Sequence, residues 1–203
     1  MSPQTDSSRS RLPIVTLLLS MAALAVWVTP GAASALQYVR AAPAGGQWWR
    51  FFTCHWTHFS MDHLLWDVGT FTLLGTICER RNRAALLACI GISAALIPAV
   101  LWIYLPRVQT YRGLSGIDSA LFILVAVDLL RAQAGRGRRA LVMGIVLLLV
   151  LFIGKIAFES FSGRTVFVDS ASAQMVPVPL AHLVGALAGF VGWASTPILQ
   201  VRG

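Results

Sequence analysis

The chain has 203 residues, 57% of them hydrophobic and only 12% charged, with a mean hydropathy of +0.72. Soluble domains carry about 25% charged residues, which excludes a water-soluble globule, and disorder needs low hydrophobicity with high charge. Sixteen basic against eight acidic residues leave a net charge of +8; the arginines stand in short clusters between apolar runs, so we read them as topology signals and anionic-lipid contacts, not as a nucleic-acid surface.

Residues 1–11 read as a disordered cytoplasmic tail, and 12–203 as one membrane domain. The apolar run from Leu12 to about Leu36 is the first predicted span. Arg9 and Arg11 ahead of it, with Ala33-Ser34-Ala35 behind, resemble a secretory signal with an A-x-A site. We read the segment as retained, because Leu12–Val39 is 28 residues without charge, longer than a usual signal core. Then follow His63–Cys78, interrupted by Asp67, then Ala84–Leu105, Leu114–Leu130, Ala140–Phe158 and Val176–Gln200. Each run has room for a spanning helix, so the fold class is an all-α membrane protein with a six-helix bundle. The second and fourth spans are short and hold acids, which directs them toward a protein interior or wet cavity, since a charge facing lipid is costly.

Ten arginines fall on one side if every span crosses: Arg9, Arg11, Arg80, Arg81, Arg83, Arg131, Arg136, Arg138, Arg139 and Arg202. Arg40, Arg50, Arg107, Arg112 and Arg164 fall on the other, and Lys155 lies in the fifth span near that second side. The excess puts both termini in the cytoplasm. Gly135-Arg136-Gly137 is a flexible cytoplasmic turn. Cys54, Cys78 and Cys89 include no C-x-x-C pair and read as small buried hydrophobes.

Three polar clusters gather near the outer side. In the first, His63 and Asp67 are four apart and share a helix face, with His58 just ahead. Trp48, Trp49, Phe51, Phe52 and Arg50 precede it and suit the headgroup region, so 40–62 is expected to lie partly in the outer leaflet. In the second, Ser115 stands between Gly113 and Gly116 at the start of the fourth span. The glycines allow tight backbone and close approach, and a helix N-terminus helps stabilise a developing oxyanion. In the third, His182, Gly185, Gly189 and Gly192 lie along one helical face, where small residues let a neighbouring helix press close. Singly, these are an N-cap, a packing stripe and a polar pair. Jointly, a Ser and a His at the same membrane level on separate helices are what a nucleophile and its base require.

The ordered set resembles the rhomboid family of intramembrane serine proteases over roughly 48–192. Trp49-Arg50 with Phe52 and Thr53 is similar to the motif after the family's first core helix. His58-Phe-Ser-Met-Asp-His63 followed by Asp67 is similar to its two-histidine motif, and Glu79-Arg80 fits that helix's end. Gly113-Leu114-Ser115-Gly116 matches G-x-S-G, and Ala181-His182 with Gly185 and Gly189 matches the sixth-helix motif. The resemblance implies a rhomboid-like six-helix bundle and a Ser–His dyad with no third carboxylate. Ser115 attacks, His182 moves the proton, and the Ser115 N–H with the His63 side chain meets the oxyanion, while His58 braces the loop. The implied substrate is another transmembrane segment cut near its outer end, in a bacterial inner membrane.

Two positions depart from the family's pattern. Asp67 stands where the family usually has an oxyanion-donating Asn, and Ser119 stands where a Tyr often stacks on the base, so His182 must be oriented otherwise. These departures, with the compact six-helix chain, resemble the rhombosortase branch, whose members are thought to process proteins carrying a C-terminal Gly-Gly sorting tail. Asp67 and Ser119 equally motivate an alternative, an inactive rhomboid-like protein that binds transmembrane helices without cutting. His55, His58, His63, Asp67 and His182 are metal ligands by type, but there is no H-E-x-x-H pair and His55 to His58 is not helical i, i+4 spacing. No metal or cofactor is therefore expected, and oligomeric state is not legible.

Overall fold

The computed structural model describes residues 12–169 and 175–195; the predicted N-terminal tail and the end of the sixth apolar run lie outside them. Eight α-helices are described: α1 (Ile14–Val28), α2 (Ala32–Leu36), α3 (Arg50–Thr53), α4 (Met61–Arg81), α5 (Arg83–Tyr104), α6 (Ser115–Ala134), α7 (Arg139–Ser162) and α8 (Pro179–Ser195). A two-residue antiparallel pair joins β1 (Tyr38–Val39) to β2 (Thr110–Tyr111), with Tyr38 opposite Tyr111. The six long helices coincide with the six apolar runs. The first run breaks, because Thr29 is extended and Gly31 is left-handed at φ 77° around Pro30, so α1 stops at Val28 and α2 starts afresh.

Helix α6 is central and packs on α4, α5, α7 and α8. Its contact with α8 is the closest, because Gly185 and Gly189 meet the backbone of Gly116 and Ala120 directly. A side chain at either glycine would hold the helices apart. Helix α1 is latched to α4 at two levels. Glu79 accepts hydrogen bonds from the N–H groups of Val15 and Thr16 and from the Thr16 hydroxyl at 2.8–3.0 Å, closing the otherwise uncapped start of α1. Higher up, Ser20 and Thr72 share a hydrogen bond of 2.8 Å.

Among the described residues two helices, α5 and α7, are long and apolar enough to cross a membrane. Helices α1 and α8 are apolar but shorter, while α4 and α6 carry Asp67, Glu79, Asp118 and Asp128 buried toward the bundle. Helix α7 stands at the periphery: Met143, Leu147, Leu151 and Ile153 are all more than half exposed, and Glu159 is its buried residue. A surface so apolar is matched to lipid rather than water. Cys54, Cys78 and Cys89 are buried and unpaired, as hydrophobes would be.

Segment 37–60 packs over one end of the bundle. Arg50 donates to the carbonyls of Ser34 and Gln37 and to the Gln47 side chain, and the Thr53 hydroxyl donates to the Leu36 carbonyl. Arg112 donates to the Gln37 side chain and the His58 carbonyl and lies over the Phe59 ring. These bonds, the short sheet and the Gly113 N–H to Cys54 carbonyl bond fix where the chain enters α6. Trp48, Trp49 and Phe52 remain about half exposed on this segment.

Candidate active site

Ser115 is the first residue of α6 and His182 lies in the first turn of α8. The Ser115 Oγ is 3.1 Å from His182 Nε2, within hydrogen-bond reach of a nucleophile and its base. Two glycine contacts put them there. Gly116 follows the serine and carries no side chain, and a Cβ on it would strike the Ile97 side chain at 2.7 Å and the Ala181 carbonyl at 3.2 Å. Gly185, one turn after His182, lies against the Gly116 backbone.

The far nitrogen of His182 also has partners. Its Nδ1 is 3.0 Å from Glu159 Oε2 and 3.3 Å from Lys155 Nζ, and that ammonium is 2.9 Å from each carboxylate oxygen of Glu159. The resemblance implied no third carboxylate, yet one faces the histidine here. The fifth apolar run read from the sequence ends at Phe158, one residue short of Glu159. The usable signal was a Lys and a Glu four apart at the end of an otherwise apolar helix. Ser119, four residues past the serine, donates to the Ser115 carbonyl at 2.8 Å.

His58, His63 and Asp67 converge on one atom. Asp67 Oδ2 lies 3.3 Å from His58 Nε2 and 3.1 Å from His63 Nε2, and it accepts the N–H groups of Leu114 at 2.8 Å and Ser115 at 3.1 Å. A carboxylate at the start of α6 is favoured by the helix dipole. Both donors expected for an oxyanion, the Ser115 N–H and the His63 side chain, therefore point at Asp67. Gly113 makes this approach possible. Its φ of +117° is strained for an L side chain, and a Cβ there would lie 2.7 Å from His63 Nε2 and 2.9 Å from Asp67 Oδ2. Burial holds the His58 imidazole below its usual pKa, against the pull of Asp67. His55 stands apart, buried with Nε2 3.3 Å from the Ala94 carbonyl. Among the described residues, no group of three His, Cys, Asp or Glu is arranged to hold a metal ion.

Ser115, His182, His63, Asp67, Lys155 and Glu159 all line one cavity of about 760 Å³. Its other walls are largely apolar, with Phe59, Trp66, Phe122, Phe152 and Phe167 prominent. Gly113 and His58 adjoin its lining residue Asp67, and Gly116 adjoins Ala181, next to His182.

No curated protein matches the chain. A family model described as Rhomboid domain matches residues 45–196, which takes in α3 to α8 and every residue of this constellation. With about three quarters of its length matched, the chain belongs to the Rhomboid family, whose membrane-embedded members are generally serine intramembrane proteases.

Proposed function

We propose that this protein is an active intramembrane serine protease. The observation that carries the reading is the 3.1 Å contact between Ser115 Oγ and His182 Nε2 on the wall of an apolar cavity. A substrate carbonyl entering beside Ser115 is attacked by its Oγ while His182 Nε2 takes the proton. The same proton passes to the amine nitrogen as the C–N bond breaks, and water repeats the cycle on the acyl-enzyme. The oxyanion takes the Ser115 N–H and His63 Nε2 once Asp67 Oδ2 gives way, since those donors now face that oxygen.

The substrate class is a transmembrane segment, whose apolar side chains suit the aromatic walls. Such a helix must unwind locally, because helical backbone hides its carbonyls. In this reading the six long helices are six spans of one domain covering 12–203. Both termini are cytoplasmic, the cavity opens to the outer face, and the membrane is a bacterial inner membrane. The Asp67 and Ser119 departures support assignment to the rhombosortase branch and to cleavage of C-terminal Gly-Gly sorting tails.

The test is cleavage of a model membrane substrate. Ser115→Ala and His182→Ala should each abolish turnover while expression and folding hold, and a fluorophosphonate should label Ser115. Normal turnover in either variant sinks the reading. One observation favours a second reading, an inactive helix-binding protein: the Asp67 carboxylate already holds the Ser115 N–H. Absence of fluorophosphonate labelling in folded protein would support that alternative.

A further inference from the structure

Beyond the serine and histidine, we infer that Glu159 is a positioning residue for the base and that Lys155 holds it in place, an inference that rests on the protease reading above. Neutral imidazole carries one proton, and Nε2 accepts from Ser115 only if that proton sits on Nδ1. Two groups face Nδ1: the Glu159 carboxylate at 3.0 Å and the Lys155 ammonium at 3.3 Å. The ammonium can only donate and would favour a bare Nδ1; the carboxylate can only accept and favours Nδ1–H. The carboxylate is nearer, and the ammonium is satisfied by both of its oxygens at 2.9 Å. The Nδ1–H tautomer is therefore the one this arrangement selects.

The placement of Glu159 points the same way. On a helix whose apolar side chains are largely exposed, it is the one residue of α7 that is buried, 2% exposed. A buried carboxylate in a membrane domain is costly without partners, and the side-chain partners present are Lys155 and His182, with the Val166 N–H donating more distantly at 3.5 Å. Ser119 bonds backward to the Ser115 carbonyl, so the ring is steadied from α7 rather than from α6.

The consequence for the reaction is a balanced proton relay. As the Ser115 Oγ–carbon bond forms, the carbonyl π pair moves to oxygen and the Oγ proton moves to Nε2. The imidazolium so formed keeps its Nδ1 proton against Glu159, whose negative charge stabilises it without taking that proton. The Nε2 proton then leaves with the amine. Lys155 offsets the carboxylate's charge while the ring is neutral. Asp118 and Asp67 also line the cavity, but neither is in hydrogen-bond contact with Nδ1.

The experiment uses the full chain in detergent micelles with a model transmembrane substrate, fluorophosphonate labelling, and NMR of nitrogen-15-labelled histidine. His182→Ala identifies the resonance of the ring. In the unaltered protein the neutral His182 ring should be protonated at Nδ1; protonation at Nε2 overturns the proposal without any variant of Glu159. Glu159→Gln should lower kcat and the labelling rate by about 10²–10⁴-fold, leave KM within about threefold, and shift the Nδ1 resonance. Glu159→Asp should restore part of the labelling rate. A Glu159→Gln variant within threefold of normal in both rates, while Ser115→Ala is inactive, overturns this inference alone. An active Ser115→Ala would instead overturn the protease reading.

Discussion

Replacing Gly185 with alanine tests the geometry at its tightest point. A Cβ there would lie 2.9 Å from the Gly116 carbonyl carbon and nearer still to its oxygen. Gly189 stands against Ala120 in the same way, at 2.8 Å from both the carbonyl carbon and Cα. The obstacle is the backbone of α6, which no rotamer change can move aside. Ordinary contact between carbon atoms is about 3.5–4.0 Å, and the oxygen is closer than the carbon, so relief requires α6 and α8 to part by at least about 1 Å. Ser115 adjoins Gly116 and His182 is one turn before Gly185, so the displacement falls on their 3.1 Å contact. A misplacement near 1 Å costs about 10²-fold in rate, and overpacking of this kind costs about 1–3 kcal/mol. Substrate cleavage and fluorophosphonate labelling should therefore both fall about 100-fold, and the unfolding midpoint should drop. Gly91→Ala and Gly144→Ala are the controls. Neither Cβ meets anything within 4 Å, and both gain helix propensity, so rate and midpoint should hold. A Gly185→Ala protein that matches the unaltered chain in labelling rate and midpoint would refute the argument.

Asp67→Asn removes a negative charge from the place where the proposed reaction puts its oxyanion while keeping an acceptor for the Ser115 N–H; turnover should rise several-fold, and a fall of more than about tenfold in folded protein would instead assign the charge itself to the reaction. Glu79→Ala strips the start of α1 of its hydrogen-bond acceptor and leaves the half-exposed Arg83 only its bond to the Leu12 carbonyl, so the unfolding free energy should fall by about 2–4 kcal/mol, with an unchanged midpoint counting against the latch. Stability should also fall in acid. Burial pushes the His55 pKa down to about 4, below its unfolded value, so the neutral ring's contribution is complete above about pH 6.5 and is lost as pH falls through 4. The loss is on the order of 3 kcal/mol; burial shifts His58 in the same direction. His55→Gln should flatten the acid limb, and an equally steep limb in that variant would place the effect elsewhere.

The helices were legible because hydropathy acts locally. Each apolar run holds one long helix, and the largest difference in extent, at Leu12–Leu36, comes from the Thr29-Pro30-Gly31 break, which local residue chemistry also encodes. The site was legible in part for a related reason. A glycine stripe behind His182 announces a close helix contact, and G-x-S-G announces a serine at a helix start, so their meeting could be anticipated from small-residue spacing. Asp67 was legible as a departure, but the destination of its Oδ2 was not. That depended on how Gly113 turns, which brings two backbone N–H groups onto an oxygen 47 residues away.

Residue order alone determined that this chain is a helical membrane protein with a serine and a histidine on separate helices, because burial of apolar side chains and helical periodicity are properties of neighbouring residues. Tertiary structure alone decided what faces the second nitrogen of that histidine. Glu159 sits 23 positions before His182 on a different helix, and no periodicity links them. Only the packing of α7 beside α6 and α8 brings the carboxylate to the ring, since side-chain electrostatics acts over a few ångströms of space and not over sequence.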